Sequence, residues 1–250
     1  MTQKKTQQKS ARQKSATGPR SKWGLFGRVL GVLVGVVLLM QLWYLGHVFW
    51  WKAFDPDSTA FMEAGLERMQ EKNPDAELRY RWVDYNRVSI HLKRAVIAAE
   101  DSRFLAHEGF DWEGMELALE KNLKKGRIVA GGSTISQQLA KNLFLSASRN
   151  PLRKIQEAII TVMIEAIWSK HRILEVYLNV IEWGNGIYGA EAASRRYFKG
   201  SAATVGPDQA AMLAAMIPNP RYYESHRSAR GLLKRKAIIA ARMFQVTVPR

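Results

Sequence analysis

The sequence contains no cysteine among its 250 residues. Structural disulfides and zinc sites built on cysteine thiolates are therefore excluded. Acidic residues are absent from the start of the chain, where residues 1 to 28 carry eight lysines and arginines. The formal net charge of the chain is +16. We therefore expect a polyanionic partner, such as nucleic acid, anionic lipid or a phosphorylated substrate.

Formal charge is missing from the 23 residues between Val29 and Trp51. A helix of about 20 apolar residues is long enough to cross a bilayer core, and Trp43 and Trp50 stand where an interfacial aromatic belt would lie. The basic residues all precede this segment, which places the N-terminus in the cytoplasm. A cleaved signal peptide would have a shorter apolar region and a small-residue cleavage site. An uncleaved single-pass anchor is therefore predicted.

The rest of the chain is predicted to be mainly α-helical. The juxtamembrane stretch contains one amphipathic helix near 58–72, and "ELRYRWV" (77–83) is the only fair strand candidate. From Tyr85 onward the apolar spacing is helical almost throughout. The predicted segments are a basic cytoplasmic tail (1–28), a transmembrane anchor (29–51), a juxtamembrane segment (52–84) and a catalytic domain (85–250).

Several predicted helices begin with clear capping signals. Asp111 caps a helix over 112–125, Thr134 with Gln137 forms a capping box for 135–144, and Asn150 with Pro151 opens 151–168. In the first of these, Met115, Leu119 and Leu123 share one apolar face. The third is apolar nearly all round, so we expect it at the centre of its domain. Further helices are predicted over "KHRILEVYLNVI" (170–181), started by Ser169 and ended by Gly184, and near 208–217.

Two acids end an apolar helix in "AAEDSRFLAHEGFD" (98–111). A carboxylate at the C-terminus of a helix meets the negative end of the helix dipole, which disfavours a purely structural role for Glu100. Such an acid suits a general base held in a cleft. The alternative is a surface ion pair in which Glu100 or Asp101 binds Arg94 or Arg103. This segment alone leaves both interpretations open.

A second segment, "GGSTISQQLAKNLFL" (131–145), leads two glycines into the N-terminus of a helix. Exposed N–H groups at a helix N-terminus form an anion site. The capping box accounts for Thr134 and Gln137, but not for Gln138 and Lys141. Those two residues, together with the nearby cations Arg149, Arg153 and Lys154, predict a phosphate-binding wall. Glu157 is either the i,i+4 partner of Arg153 or a second acid that faces a cleft.

The order of these segments resembles the five consecutive motifs of the peptidoglycan glycosyltransferases. The motifs are "EDSRFLAHEGFD", "GGSTISQQLAKNLFL", "RKIQE", "ILEVYLNVIEWGNGIYGAEAASRRYF" and "AAMLAAMIPNP". The resemblance implies a mainly α-helical, lysozyme-like domain with a membrane-proximal jaw. The motifs Ser-x-x-Lys, SDN and KTG are absent, so we expect no transpeptidase domain. The match is to the monofunctional biosynthetic form.

The resemblance also implies roles for individual residues. Glu100 matches the catalytic base and Glu157 the second essential acid. The other matching positions are implied to shape the base or to bind substrate: Asp101, Phe104, His107, Ser133, Thr134, Gln137, Gln138, Lys141, Asn142, Arg149 and Lys154. No protein-based metal site is expected, although a divalent cation, Mg or Mn, is a candidate at the donor pyrophosphate.

The implied activity is polymerisation of lipid II into linear glycan strands, with inversion and release of polyprenyl pyrophosphate. The implied partners are lipid II, lipid-linked glycan, membrane lipids and cell-wall synthesis or division proteins, without nucleic acid. The implied location is the bacterial inner membrane, with the catalytic domain in the periplasm. Two rivals stay open: a lysozyme-like hydrolase or lytic transglycosylase, and a membrane-tethered binding module. The hydrolase has no need of a basic wall, and the binding module has no need of Glu100.

Overall fold

The computed structural model describes residues 22–127, 131–146 and 150–250, with side chains from Phe26 onward. Arg149 lies outside the described residues, so its predicted role stays a prediction. The chain divides into two compact units, Met1–Trp43 and Tyr44–Arg250. The predicted boundaries at 28, 51 and 84 stay predictions.

The described part of the chain is mainly α-helical, which confirms the predicted fold class. The helices are α1 (Lys22–Ala53), α2 (Ala60–Gln70), α3 (Ile90–Glu100), α4 (Trp112–Lys125), α5 (Ile135–Phe144), α6 (Pro151–Ile167), α7 (Lys170–Val180), α8 (Ala190–Phe198), α9 (Pro207–Met216), α10 (Pro220–Ser225) and α11 (Arg230–Arg242). The strands are β1 (Arg79–Tyr80), β2 (Glu182–Gly184) and β3 (Ile187–Tyr188). Single 3-10 turns lie at Tyr85–Arg87, Ala202–Thr204 and Met243–Gln245.

Helix α1 contains the apolar segment. Its stretch Phe26–Ala53 spans 28 residues, and an 18-residue window within it has a mean hydropathy of 2.2, which is long and apolar enough to cross a membrane. The apolar side chains of its first part, such as Leu33 and Leu39, are exposed within their own unit. Exposed leucine and valine along a whole helix suit lipid better than water. This helix therefore indicates a membrane anchor.

The core of the second unit lies where α3, α5, α7 and α9 meet. Helix α9 is small and apolar, and its buried alanines allow α3 and α11 to pack closely against it. Trp183, Tyr177 and Tyr188 are the largest fully buried side chains. The Asn179 amide ties α7 to the segment before α3, because it donates to the Val83 carbonyl and accepts from the Val83 N–H, each at 2.9 Å.

A small three-stranded sheet has the order β1-β3-β2. Strand β1 lies in "ELRYRWV" and pairs parallel with β3, whereas β2 and β3 form an antiparallel hairpin. The predicted helix over 170–181 is confirmed, since α7 runs from Lys170 to Val180. The hairpin of β2 and β3 after it is not among the sequence predictions. Its turn lies at Asn185-Gly186, where Gly186 has a φ of 68°. Glycine adopts this conformation without strain, and Asn-Gly is a common turn dipeptide.

The apolar side chains of two helices are largely exposed. In α6, Leu152 and Ile155 are 77% and 58% exposed, and only one side of the helix is buried. The expectation that this helix is surrounded by the core is therefore wrong. In α4, Leu119 and Leu123 share the predicted apolar face and are 60% and 73% exposed. Exposed apolar faces of this kind mark contact with a membrane or a partner.

The predicted caps are confirmed. The Asp111 carboxylate accepts from the Gly114 N–H at 3.0 Å, and α4 ends at Gly126 with a φ of 61°. The Thr134–Gln137 capping box is complete, and Asn150 accepts from the Arg153 N–H at 2.7 Å. These local signals place the ends of α4, α5 and α6 where the site needs them.

Candidate active site

Glu100 is the last residue of α3, and two side chains from distant elements hold its carboxylate. Gln138 Nε2 on α5 donates to Glu100 Oε2 at 2.9 Å. Arg235 on α11 donates to Glu100 Oε1 at 2.8 Å and to the Ala99 carbonyl at 3.2 Å. The surface ion pair with Arg94 or Arg103 is not formed, because Arg103 pairs with Glu113 and Asp111. Glu100 is 10% exposed and fixed in orientation at the wall of a cleft.

Tyr177 fixes the orientation of the Gln138 amide. Its hydroxyl donates to Gln138 Oε1 at 2.9 Å, which leaves Gln138 Nε2 to donate to Glu100. Tyr177 is fully buried, and burial raises its pKa well above the ordinary value, with the charges of Glu100 and Asp101 adding to the effect. The phenol therefore stays protonated at any physiological pH and remains a donor.

Asp101 is buried and connects the first motif to α5. Its carboxylate binds His107 Nε2 at 2.9 and 3.1 Å and accepts from the Ile135 N–H at 3.0 Å. Phe104 is buried beneath this loop, and Lys170 Nζ lies 4.7 Å from the centre of its ring. Asp101 thus serves as the anion at the N-terminus of α5, where the helix dipole favours a negative charge.

Two N–H groups of the expected anion site at the start of α5 are bonded within the protein. The Ile135 N–H donates to Asp101 and the Gln137 N–H to the Thr134 hydroxyl. The Thr134 hydroxyl in turn donates to the Gly109 carbonyl at 2.6 Å. Of the predicted substrate residues here, Ser133 is exposed, whereas Thr134 and Gln137 are buried. Their predicted roles in substrate binding stay predictions.

Asn142 is likewise a packing residue in this structure. It is buried, and its side chain donates to the Gln138 carbonyl one turn earlier, at 2.8 Å. This bond lies directly beneath the residue that holds Glu100. The predicted contact of Asn142 with substrate stays a prediction.

Glu157 is buried on α6 and binds two cations from the preceding turn. Arg153 donates to Glu157 Oε2 at 2.9 Å, and Lys154 binds Glu157 Oε1. The i,i+4 pairing predicted as the simpler alternative is therefore present. The phosphate-binding wall is thus partly neutralised, with Lys154 half exposed and Arg153 nearly buried.

The pKa of the Lys141 ammonium is lowered, mainly because the side chain is buried. The charges of Arg153 and Lys154 lower the pKa further. The charges of Glu157 and Glu100 act in the opposite direction. The nearest described ring to Lys141 is Phe61, 5.4 Å from Nζ. No hydrogen bond of this ammonium to a described residue is present, so its donors stay available for an anionic substrate.

Two adjoining cavities form the candidate cleft. The first, of about 170 Å³, is lined by Glu100, Asp101 and Ser133 among others. The second, of about 280 Å³, is lined by Ser133, Gln137 and Lys154 together with apolar residues of α4. Gly132 and Ser133 border both cavities. A carboxylate on one side and a cation on the other can act on a substrate that carries both a hydroxyl and a negative charge.

The acids of the cleft are all engaged by protein groups. Asp101 binds His107, Glu157 binds Arg153 and Lys154, and Glu100 binds Arg235 and Gln138 as above. Among the described residues, no group of three carboxylates or histidines is arranged to hold a metal ion. This donor set does not fit a Mg or Mn ion bound by the protein alone.

Sequence reasoning missed two residues of the site. Arg235 lies on α11, outside the five motifs, and 135 residues after Glu100. Tyr177 lies within a recognised motif, but nothing in its local pattern showed that its hydroxyl would reach Gln138. Both contacts arise from tertiary packing. Of the predicted residues, the structure brings together Glu100 and Gln138, Asp101 and His107, and Glu157 and Lys154.

A helical domain with the Glu100 carboxylate at the wall of a cleft that Lys154 also borders has the groups that acid–base chemistry on an anionic substrate requires. The sequence matches the transglycosylase family over residues 67–244. It is 63% identical to the biosynthetic peptidoglycan transglycosylase of Thiobacillus denitrificans, over 92% of this chain and 100% of the relative. It is 60% identical to that of Methylobacillus flagellatus, over 90% of this chain and 98% of the relative. The chain therefore belongs to the transglycosylase family and is a glycosyltransferase, as its motifs predict.

Proposed function

We propose that this enzyme polymerises lipid II into linear peptidoglycan strands. The observation that carries the proposal is the carboxylate of Glu100, held by Gln138 and Arg235 at the wall of a cavity that adjoins the cationic one. The names of the relatives support the biosynthetic direction, since they are biosynthetic peptidoglycan transglycosylases. A degradative enzyme would not need the cations beside the second cavity.

Glu100 acts as the general base in this proposal. It takes the proton from the 4-hydroxyl of the acceptor sugar, and that oxygen attacks C1 of the donor sugar with inversion. A carboxylate offers about four lone-pair positions, and two of them are used by Gln138 and Arg235. The remaining positions can receive the proton. Fixed orientation of the base is a large part of the rate enhancement in such a step.

The leaving group is a polyprenyl pyrophosphate, and the cations stabilise it. The bond between C1 and the pyrophosphate oxygen breaks as the new glycosidic bond forms, and the electron pair leaves with the pyrophosphate. Because the product is already a stable anion, no general acid is required, in contrast to glycosidases that expel an alcohol. Lys141 and the exposed Lys154 are placed to supply positive charge. In this proposal a divalent cation bound to the pyrophosphate would add to the positive charge that these lysines supply.

The proposed location is the periplasmic face of the inner membrane, with the N-terminus in the cytoplasm. The apolar helix α1 supports an anchor, and the exposed apolar faces of α4 and α6 support further contact with lipid. Both substrates carry lipid tails, so the cleft has to lie near the membrane surface. Cell-wall synthesis or division proteins are the proposed protein partners.

The test is a polymerisation assay with purified full-length enzyme and lipid II. The wild type is expected to form glycan chains, and Glu100→Gln to lose nearly all polymerisation. Glu108→Gln is the matched control, because Glu108 is an exposed acid in the same loop. Full activity of Glu100→Gln would show that Glu100 is not the general base. Release of anhydro-muropeptides from sacculi, without chain growth from lipid II, would instead establish a lytic enzyme.

A further inference from the structure

A second cluster of cations lies outside the candidate active site, between β1 and α8. It borders a cavity of about 340 Å³, a size typical of small-ligand pockets, which run from about 300 to 1,000 Å³. We name this feature the basic pocket. Its lining residues are Arg79, Tyr80, Arg81, Ala192, Arg195, Arg196 and Lys199. Five of these seven residues are cationic, so the pocket is built for negative charge.

The charge of the basic pocket is only partly neutralised. Glu191 binds Arg195 at 2.7 Å, and Glu224 lies 3.5 Å from Arg196. Within the described ranges, no carboxylate lies within ion-pair distance of Arg79, Arg81 or Lys199, although Asp75 and Glu77 line a neighbouring cavity with Arg79. Arg79, Arg81 and Lys199 are exposed, so this excess of positive charge is accessible to an external anion.

Lys199 occupies an unusual backbone conformation at the edge of the pocket. It is the only described residue other than glycine with a positive φ, 58°, at the C-terminal end of α8. Glycine fits this conformation with less strain. A lysine here places its charge beside Arg195 and Arg196 on the last turn of the same helix, in line with the negative end of the helix dipole.

The pocket is tied to the residues that follow the apolar segment. Tyr80, which lines the pocket, donates its hydroxyl to the Pro56 carbonyl at 3.0 Å. Arg172 donates to the carbonyls of Trp51 and Phe54, at 2.9 and 2.7 Å, and its guanidinium lies 5.3 Å from the centre of the Trp82 ring. Tyr80 is thus bonded directly to Pro56, and Trp82 is linked to residues 51–54 through Arg172.

We propose that the basic pocket binds the phosphate of an anionic phospholipid headgroup. Residues 51–56 lie at the end of the stretch that is apolar enough to cross a membrane. Basic residues close to such a segment are attracted by the anionic lipids of the membrane surface. The basic pocket is separate from Glu100 and Lys141. It is proposed to bind a lipid of the bilayer, and this binding does not depend on which glycan substrate the enzyme uses.

The test measures headgroup binding by the full-length protein in nonionic detergent, without lipid II. Phosphatidylglycerol and phosphatidylcholine are titrated separately, and bound lipid is counted by native mass spectrometry. The variant combines Arg79→Gln, Arg81→Gln and Lys199→Gly, the glycine being suited to the positive φ. The control combines Lys72→Gln, Arg230→Gln and Lys234→Gln, which removes the same charge from exposed positions elsewhere. Thermal unfolding verifies that both variants are folded.

The wild type is expected to prefer phosphatidylglycerol, the control to keep that preference and the pocket variant to lose it. Each basic residue near an anionic surface contributes about fivefold, so we expect weakening of roughly 100-fold. Equal binding of the two lipids by the wild type, or unchanged binding by the pocket variant, overturns the proposal. Equal loss in variant and control shows a general charge effect and overturns it too. If inorganic phosphate binds as tightly as phosphatidylglycerol, the pocket is a site for a soluble anion, and the lipid proposal is overturned. None of these outcomes depends on polymerisation activity.

Discussion

Arg235 Nη2 lies 2.8 Å from Glu100 Oε1 and joins the last long helix of the chain to the proposed catalytic base. The same guanidinium also holds the Ala99 carbonyl at the end of α3. Helix α11, which carries Arg235, packs against α9 and α3, with Leu232 and Ile239 buried. A segment outside the recognised motifs therefore determines where the carboxylate of the base points.

We expect Arg235→Met to reduce kcat with little change in KM. Methionine keeps the length of the side chain but cannot bind the carboxylate, and displacing a catalytic group by about 1 Å costs roughly 100-fold in rate. Arg235→Lys should restore part of the loss, because a lysine keeps the charge. Steady-state kinetics with lipid II measures this, with the exposed neighbour Lys234→Met as control. A change confined to KM would show that Arg235 binds substrate and does not position the base.

Tyr177→Phe tests the other side of the Glu100 carboxylate. Without the phenol, the Gln138 amide loses the contact that sets its orientation, and a flipped amide would turn its oxygen toward Glu100. We expect a fall in kcat of roughly tenfold and a loss of about 1 kcal/mol in unfolding free energy. Tyr222→Phe is the control, since Tyr222 is 46% exposed. Unchanged kcat in Tyr177→Phe would show that the amide is fixed by other contacts.

How much of the structure can be predicted from the sequence depends on how far apart in the chain the interacting residues lie. The caps at Asp111 and Thr134 act within four residues, so their patterns are visible in the local sequence. The fold class follows from such local patterns, namely the caps and the helical spacing of apolar residues. The contact of Arg235 with Glu100 spans 135 residues and leaves no local pattern. Apolar periodicity identified α4 and α6 but placed α6 at the centre of the domain, because an apolar pattern alone does not show what covers each face of a helix.

Lys141 should give the enzyme an alkaline limit below that of an ordinary lysine. Burial lowers the pKa of its ammonium. The charged form is the one that stabilises a pyrophosphate, so its contribution is complete at low pH and is lost as pH rises through the lowered pKa. Arginine stays protonated throughout, so Lys141→Arg should move the decline of kcat/KM to higher pH. Profiles over about pH 7 to 10 measure this.

The matched control for that profile is Lys72→Arg, an exposed substitution remote from the cleft. It should leave the alkaline limb where the wild type has it. If kcat/KM declines at the same alkaline pH in the wild type and in Lys141→Arg, the decline comes from the titration of another group.

Asp101→Asn should destabilise the domain. The carboxylate is 6% exposed, binds His107 and supplies the negative charge at the N-terminus of α5. Asparagine keeps one acceptor oxygen but loses the charge, and we expect a loss of about 1–3 kcal/mol. Each kcal/mol lowers Tm by about 2–4 °C in a protein of this size. Asp208→Asn, at a residue whose side chain is 82% exposed, should change Tm little. Equal effects of the two substitutions would contradict this role of Asp101.

Glu157→Gln distinguishes charge balance from direct chemistry at the second acid. Its carboxylate is 4% exposed and binds both Arg153 and Lys154, so neutralising it leaves two neighbouring cations without their counter-charge. We expect a loss of stability of about 1–3 kcal/mol together with reduced polymerisation.

A double-mutant cycle with Arg153→Gln then separates the two roles of Glu157. If Glu157 mainly balances charge, Arg153→Gln should recover part of the stability lost by Glu157→Gln, with a coupling of about 0.5–3 kcal/mol between residues in one ion-pair network. Glu120→Gln, which breaks the exposed pair with Lys124, provides the baseline for a surface i,i+4 contact. Stability that recovers while polymerisation stays abolished would mean that the Glu157 carboxylate itself takes part in the reaction. Recovery of both would assign it to holding the cations in place.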